Sequence, residues 1–214
     1  MPIPLTDAAG APLTNRFALA PDPHVDVAVV SLNDVAMPGG TPFTFNHLDP
    51  SLLLRSSEIA TWFVGVGDQV FALGYPLGIT SAKTSYPIAK AGYLAAPPGE
   101  TFALNFPSTR RNGTSTTVQL DAKVLVVDGL IVPGNSGGPV VLPSDLKMRR
   151  DPKTKELQFA TAQADNFVVG VVSMDLGDSG LTVCFSTDYV IELVDSLRAS
   201  LLAEAAAVNG RGHR

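Results

Sequence analysis

The chain has 214 residues, of which 45% are hydrophobic and 16% charged, which excludes a disordered chain because such chains combine low hydrophobicity with high net charge. The formal net charge of −5 has the opposite sign to that expected of a general nucleic-acid binder. The single cysteine, Cys184, excludes an intrachain disulfide. No apolar run approaches the roughly 18 residues of a membrane-spanning helix. From the charge and from the lack of such a run, we expect neither nucleic acid nor a membrane as a partner.

The predicted elements are mostly short strands, because 19 glycines and 17 prolines favour turns over long helices. The β-branched segment 25–32 predicts a buried strand, and segment 48–60 predicts a short helix. Further strand candidates, separated by Gly or Pro, lie at 69–73, 87–95, 101–106, 116–127, 139–142, 157–162, 166–173 and 181–186. This spacing is typical of an antiparallel barrel or sandwich. The charged segment 143–156 predicts an exposed loop.

One helix is predicted at the end of the chain, from Asp188 to about Ala207. Ser186 or Thr187 can cap its start, and Asp188 complements the helix dipole. Its apolar side chains recur with a period of about 3.6 residues, at Val190, Leu193, Val194, Leu197 and Leu201. We expect this face to pack on the barrel.

The run Pro133–Val140, Pro-Gly-Asn-Ser-Gly-Gly-Pro-Val, is the segment that indicates a function. A serine hydroxyl is a poor nucleophile unless it is held against a base and faced by an oxyanion site. The small residues around Ser136 allow a tight turn that brings backbone N–H groups to a substrate carbonyl, with Gly134 and Ser136 as the natural donors. An ordinary glycine-rich turn explains two of these glycines, but explains the whole run between two strands less easily.

The run Gly134–Pro139 resembles the nucleophile motif of the trypsin/chymotrypsin-like serine proteases, in the Asn-containing form common in their bacterial Deg-type branch. Asp26-Val27-Ala28-Val29 is similar to the segment that carries the family's catalytic Asp. Other similar segments, in the same order over roughly residues 24–205, are Val66–Gly78, Asp128, Val169–Ser173 and Cys184–Thr187. Val66–Gly78 resembles the strand and turn that close the first of the two barrels in this family's fold.

The resemblance implies an all-β fold: a trypsin-like double β-barrel with an incomplete first barrel and a C-terminal α-helix. It implies three parts, with the rest of the first barrel at 1–82, the second barrel at 83–186 and the helix at 187–207. It implies neither a cofactor nor a metal.

The resemblance also assigns roles to residues. Ser136 is the expected nucleophile, and Asp26 is the residue expected to orient the base. The N–H groups of Gly134 and Ser136 form the expected oxyanion hole, and Val171, Val172 and Ser173 line the expected pocket for the substrate. Asn135 carries no charge to pair with a newly cut N-terminus, so activation by such a cut is not expected.

The general base of the family is a histidine well before the Asp, and this chain departs from that pattern. Only 25 residues precede Asp26, and the one histidine among them, His24, lacks the small-residue context of a family base. On a strand, His24 and Asp26 would share a face. His47 is interpreted as a turn residue, and His213 lies in a polar tail. Three explanations stay open: the histidine segment is missing, the chain is a pseudoprotease, or another chain supplies the base.

The function predicted is therefore a serine endopeptidase domain that cleaves peptide or protein substrates through an acyl-enzyme. The alternative is an inactive pseudoprotease that binds peptides in the same cleft. An α/β-hydrolase esterase fits poorly, because that fold places its serine between a strand and a helix. In the trypsin branch of the family that the chain resembles, a pocket Asp lies a few residues before the nucleophile, but here the run 129–132 is apolar. The resemblance therefore implies a small or medium apolar side chain at the cleaved position, although Asp128 lies close by.

An incomplete first barrel also has consequences for association and location. Its open edge offers a route to self-association. Residues 1–4 lack the pattern of a signal peptide, so the cytoplasm is the default location, and an extracytoplasmic one fits if a preceding segment is missing.

Overall fold

The computed structural model describes residues 6, 9–11, 16–32, 47–59, 64–80, 86–109, 115–129, 132–144, 147–150, 154, 156–160 and 166–211. The chain divides into two compact units. The barrel unit is Pro50–Asp188, and the terminal unit consists of Met1–Asp49 and Tyr189–Arg214.

The terminal unit contains one antiparallel strand pair in its described part, formed by β1 (Phe17–Leu19) and β2 (Ala28–Val30). The predicted strand at 25–32 is thus confirmed only over its centre. Val25 and Val27 before β2 are buried, and this accounts for the apolar pattern of that segment.

The barrel unit holds nine strands and several short helices in its described part. The first helix, α1 (Ser56–Ile59), follows a 3-10 turn at Pro50–Leu52. The strands are β3 (Gln69–Gly74), β4 (Ile88–Leu94), β5 (Thr101–Thr109), β6 (Ser115–Asp128), β7 (Pro139–Leu142), β8 (Lys147–Arg150), β9 (Leu157–Ala160), β10 (Phe167–Asp175) and β11 (Leu181–Ser186). Further 3-10 turns lie at Pro76–Gly78 and Gly177–Ser179.

Six of these strands close into a barrel in the order β11-β10-β7-β3-β4-β6, with β6 pairing back to β11. All of the pairings are antiparallel; Phe71 lies opposite Val141, and Phe185 opposite Val124. β5 joins from outside by pairing with β6, and β8 and β9 form a separate hairpin. Closure leaves no unpaired edge among the six strands.

The interior of the barrel is filled by alternate residues of its strands, because successive side chains of a strand point to opposite faces. In β3, for example, Val70 and Ala72 are buried. At Gly170 of β10 a side chain has no room, because an added Cβ would lie 2.8 Å from Cδ1 of Leu125 and 2.9 Å from the carbonyl oxygen of Phe185. The buried cluster comprises Leu54, Ile59, Val64, Val70, Ala72, Leu94, Leu125, Val127, Val140, Leu142, Phe167, Val169, Val172 and Cys184.

The last element, α2, spans Thr187–Arg211 and begins with the final two residues of the barrel unit. Of the predicted apolar stripe, Leu193 and Leu197 are buried but Val194 is exposed, so the buried face is narrower than the stripe. In the part of the chain that the structure describes, no helix has the length and hydropathy needed to cross a membrane.

The predicted fold class is confirmed: the chain is mostly β, closes a barrel and carries the C-terminal helix. Two details differ. Lys147–Arg150 was expected in a loop but forms β8, because it pairs with Leu157–Ala160. The strand at 69–73 was expected to close the first barrel, but β3 bonds to β4 and β7 and so lies with the later strands. The limits 1–82, 83–186 and 187–207 of the three predicted parts stay predictions.

Candidate active site

Ser136 lies on the turn that leads into β7, and the conformation of this turn depends on glycine. We call residues Pro133–Gly138 the nucleophile loop. Gly134 has a φ of +100° and Gly137 a φ of +80°, in the left-handed region that side chains disfavour. At Gly138 a Cβ would lie 1.9 Å from the carbonyl oxygen of Leu73, so the end of β3 touches the loop backbone. Gly134 and Gly137 are therefore required by their positive φ angles, and Gly138 by its close contact with Leu73.

Two segments hold the nucleophile loop from its two ends. At its start, the N–H groups of Tyr75 and Leu77 donate to the carbonyl oxygens of Gly134 and Pro133, at 2.9 and 2.8 Å. At its end, Gly137 N–H donates to the Val172 carbonyl at 2.8 Å, and Val172 N–H donates to the Gly138 carbonyl at 2.9 Å. The loop is thus fixed between the segment after β3 and strand β10.

The Ser136 side chain is exposed, and its hydroxyl donates to the carbonyl oxygen of Ser173 at 3.2 Å. Among the described residues, the N–H groups of Gly134 and Ser136 have no hydrogen-bond acceptor. Two unused donors beside an exposed serine are what an oxyanion site needs, since such donors bind the negative oxygen of a tetrahedral intermediate.

Asn135, between these two donors, is fully buried. Neither polar atom of its side chain has a hydrogen-bond partner in the described part of the structure. A Cβ at Gly74 would lie 2.8 Å from the Asn135 Cα, so β3 packs directly on this residue. The sequence motif does not predict this burial. Because a buried unpaired charge costs far more than a buried amide, the neutral side chain suits this position better than Asp.

Strand β10 brings the predicted pocket residues to the nucleophile loop. Ser173 supplies the carbonyl that accepts the Ser136 hydroxyl, and the β10–β11 register shifts between Val172 and Met174. Val172 turns its side chain into the core and contacts the loop through its backbone, whereas Val171 is half-buried. The substrate-binding roles of Val171, Val172 and Ser173 stay predictions.

Asp26 and the histidines all lie outside the barrel unit. Asp26 belongs to the terminal unit, where it is exposed between two buried valines, and its orienting role stays a prediction. His24 is exposed, and its backbone N–H donates to a carboxylate oxygen of Asp22 at 2.9 Å, as in a turn. His47 is exposed as well, and His213 is outside the described residues. Residues 50–188 therefore contain Ser136, the predicted nucleophile, but no histidine.

The apolar run 129–132 and the question of a metal site also bear on the predicted chemistry. Gly129 and Val132 of the apolar run are described, but Leu130 and Ile131 are outside the described residues. Within the described ranges, no group of three or more His, Cys, Asp or Glu side chains could hold a metal ion.

Sequence reasoning assigned no site role to Leu73, Gly74, Tyr75 or Leu77, which contact the nucleophile loop. Their run, Leu-Gly-Tyr-Pro-Leu-Gly, resembles a strand and turn of the family but contains no pattern typical of a site residue. The contact joins residues about 60 positions apart in the sequence, so no local pattern predicts it.

Comparisons with known proteins give structural neighbours only. No family model matches the chain, and no curated protein matches it. The solved structures similar to it include the Rv3671c protease in its inactive form, at 17% identity and a TM-score of 0.36, covering 63% of this chain and 50% of that one. The active form, from M. tuberculosis, has 18% identity and a TM-score of 0.35, with 63% and 44% covered. The chain thus spans half or less of the length of these proteases.

Proposed function

We propose that this chain is a serine endopeptidase domain of the trypsin-like type, similar in its Asn-containing motif to the bacterial Deg-type branch. One observation supports the proposal most. Ser136 is exposed on a loop whose two neighbouring N–H groups, at Gly134 and Ser136 itself, have no acceptor among the described residues. Such a loop is suited to stabilise a negatively charged oxygen.

In the proposed reaction, the Ser136 oxygen attacks the carbonyl carbon of a peptide bond. The hydroxyl proton passes to a base, and the carbonyl oxygen becomes an oxyanion bound by the N–H groups of Gly134 and Ser136. Collapse of this intermediate breaks the C–N bond, and the base returns the proton to the leaving amine. Water then hydrolyses the acyl-enzyme. Residues 50–188 contain no histidine, so an imidazole base would come from another part of the chain or from another molecule. Asp26 would orient this base.

The proposal predicts that a fluorophosphonate probe labels Ser136, because this probe reacts quickly only with an activated serine. Ser136→Ala should lower labelling by about 10³-fold or more. Added imidazole should accelerate labelling of the unchanged chain, and the acceleration should grow as the pH rises through the pKa of imidazole, because only the neutral ring accepts the serine proton. Mass spectrometry of the labelled peptide identifies the site.

Ser57→Ala is the matched control, because Ser57 is an exposed serine of the same unit, on α1. This variant should label at the rate of the unchanged chain. Equal labelling of the Ser136→Ala variant and the unchanged chain would refute the assignment of the nucleophile.

A second candidate function is a catalytically inactive module that binds peptides. The observations that favour it are the hydrogen bond from the Ser136 hydroxyl to the Ser173 carbonyl and the absence of an imidazole from residues 50–188. A chain that stays unlabelled even with imidazole, but binds peptides equally well with and without the Ser136 hydroxyl, would support this candidate.

A further inference from the structure

The segment Tyr75–Ile79, which follows β3, exposes large apolar side chains to solvent. Leu77 is 71% exposed and Ile79 is 54% exposed, and the Tyr75 side chain is partly exposed as well. Exposed apolar residues scattered singly are ordinary, whereas exposed apolar residues that lie together are typical of binding surfaces. We call this segment the apolar turn.

The backbone of the apolar turn is hydrogen-bonded to the nucleophile loop. Besides the hydrogen bonds from Tyr75 and Leu77, the two backbones are in direct contact, because a Cβ at Gly134 would lie 2.2 Å from the Tyr75 carbonyl oxygen. The backbone of the turn is therefore held beside Gly134, one of the two proposed oxyanion donors.

The backbone of Leu77 supports a functional role for its side chain. Leu77 has a φ of +54°, and it is the only described residue other than glycine with a positive φ. This conformation costs roughly 1–2 kcal/mol for a residue with a Cβ. Strained residues of this kind concentrate at functional sites, and here the strain accompanies an apolar side chain that packs against little.

In the sheet, β7 lies between β3 and β10, so the apolar turn after β3 and strand β10 flank the nucleophile loop that leads into β7. The turn bonds to Pro133 and Gly134, whereas β10 bonds to Ser136, Gly137 and Gly138. An extended peptide with its carbonyl at Ser136 therefore meets β10 on one side of the scissile bond and the apolar turn on the other. The resemblance places the substrate residue before the scissile bond against β10. The apolar turn would then contact the substrate residues after the scissile bond, on the leaving-group side.

The charge distribution indicates which substrate side chain fits this place. The chain has 15 basic and 20 acidic residues, yet none falls in 74–80, 129–142 or 166–174. These three segments supply the apolar turn, the nucleophile loop and most of β10. A charged substrate side chain would find no counter-ion in them, whereas an apolar one would bury surface against Leu77.

We infer that Leu77 and Ile79 form a subsite for an apolar side chain on the leaving-group side of the scissile bond. This inference rests on the proposed function. Leu77 determines specificity in this subsite, and the backbone of the apolar turn holds the nucleophile loop.

The test measures peptide binding to the full chain carrying Ser136→Ala, so that no turnover is needed. Two fluorescent peptides have the same apolar sequence before the scissile bond and carry either Leu or Ser in the two positions after it. Fluorescence anisotropy should show tighter binding of the Leu peptide. A second substitution in the same chain, Leu77→Asn, should weaken binding of the Leu peptide about tenfold and leave binding of the Ser peptide unchanged. Asn is chosen because it tolerates a positive φ. Leu77→Met should preserve the preference.

Val66→Asn is the matched control, because Val66 is an exposed apolar residue in the turn before the other end of β3. It should leave both affinities unchanged. An unchanged Leu-to-Ser ratio in the Leu77→Asn variant, equal weakening of both peptides, or no binding of either peptide would overturn the subsite.

Fluorophosphonate labelling of the Leu77 variants, with Ser136 present, separates the two proposals. Labelling at the unchanged rate is expected, because the probe does not occupy the subsite. A chain that is never labelled, but whose peptide preference depends on Leu77, would overturn the endopeptidase and retain the peptide subsite.

Discussion

Gly138 is the residue at which the nucleophile loop comes closest to β3. An added Cβ would lie 1.9 Å from the Leu73 carbonyl oxygen and 2.8 Å from that of Asn135. Both atoms are backbone, so neither can move without shifting a strand or the loop. At Gly137, one residue earlier, nothing lies within 4 Å of an added Cβ, and the constraint is its φ of +80° alone.

This pair of glycines makes the geometry of the loop testable. Gly138→Ala should lower the free energy of unfolding by about 3 kcal/mol and abolish labelling of Ser136, because it displaces backbone at the site. Gly137→Ala should cost only about 1–2 kcal/mol, the price of the left-handed conformation. Urea unfolding followed by circular dichroism gives both values. Equal losses in the two variants would contradict the close approach of β3.

At the scale of elements, the start of α2 is tied to α1 and β6 by a buried carboxylate. Asp188 accepts hydrogen bonds from the Ser56 N–H at 3.0 Å, from the Ser56 hydroxyl, and from the Lys123 ammonium at 2.9 Å. The neighbouring Thr187 hydroxyl donates to the Leu54 carbonyl. Burial raises the pKa of Asp188, but the bonds from Ser56 and Lys123 outweigh it, and the pKa lies below its ordinary value.

Because the pKa of Asp188 is lowered by folding, its ionised form stabilises the native state. This contribution is complete at pH values above the unfolded pKa of about 3.9 and is lost as the pH falls through the lower native pKa. Asp188→Asn should therefore cost about 1–3 kcal/mol at pH 7, and less below pH ~4. Urea unfolding of both chains at several pH values measures the difference.

Lys123→Gln provides the control for this prediction. Its side chain is 46% exposed, so solvent screens the ion pair and the variant should cost no more than about 1 kcal/mol. A loss for Asp188→Asn that does not change with pH would show that its charge contributes nothing.

At the scale of the whole molecule, the barrel depends on β11, which pairs with β10 on one side and with β6 on the other. Cys184, in the middle of β11, lies opposite Val172 and Leu125 and is completely buried. Burial raises the pKa of its thiol to about 12, because the thiolate would be desolvated. The only cysteine of the chain thus reports on opening of the barrel.

We expect Cys184 to resist iodoacetamide in the native chain at pH 8 and to react once the barrel opens. The fraction alkylated should rise with urea along the same curve as the loss of circular dichroism, since the thiolate is the reactive form. The fully denatured chain sets the maximal rate. Rapid alkylation of a chain that keeps its native spectrum would mean that β11 separates locally.

Self-association through the open edge of the first barrel stays a prediction, and analytical ultracentrifugation can test it.

The parts of the fold that were predicted correctly are those set by neighbouring residues. The bounds of β7 and β11 match the predicted strands, because short apolar runs are interrupted there by Gly or Pro. β8 was missed because its sequence, Lys-Met-Arg-Arg, has no strand pattern and is extended through its pairing with β9. Likewise, the placement of β3 depends on hydrogen bonds to β7, which lies about 70 residues later.

The sequence by itself predicted the nucleophile loop and the chemistry proposed for it, because a serine among small residues and the glycines of a tight turn are adjacent in the chain. It also showed that residues 50–188 contain no histidine. Only the tertiary structure decided that the apolar turn lies against Gly134 and that Asn135 is buried under Gly74. Both depend on closure of the barrel, which brings the end of β3 to a loop that no local preference could have placed beside it.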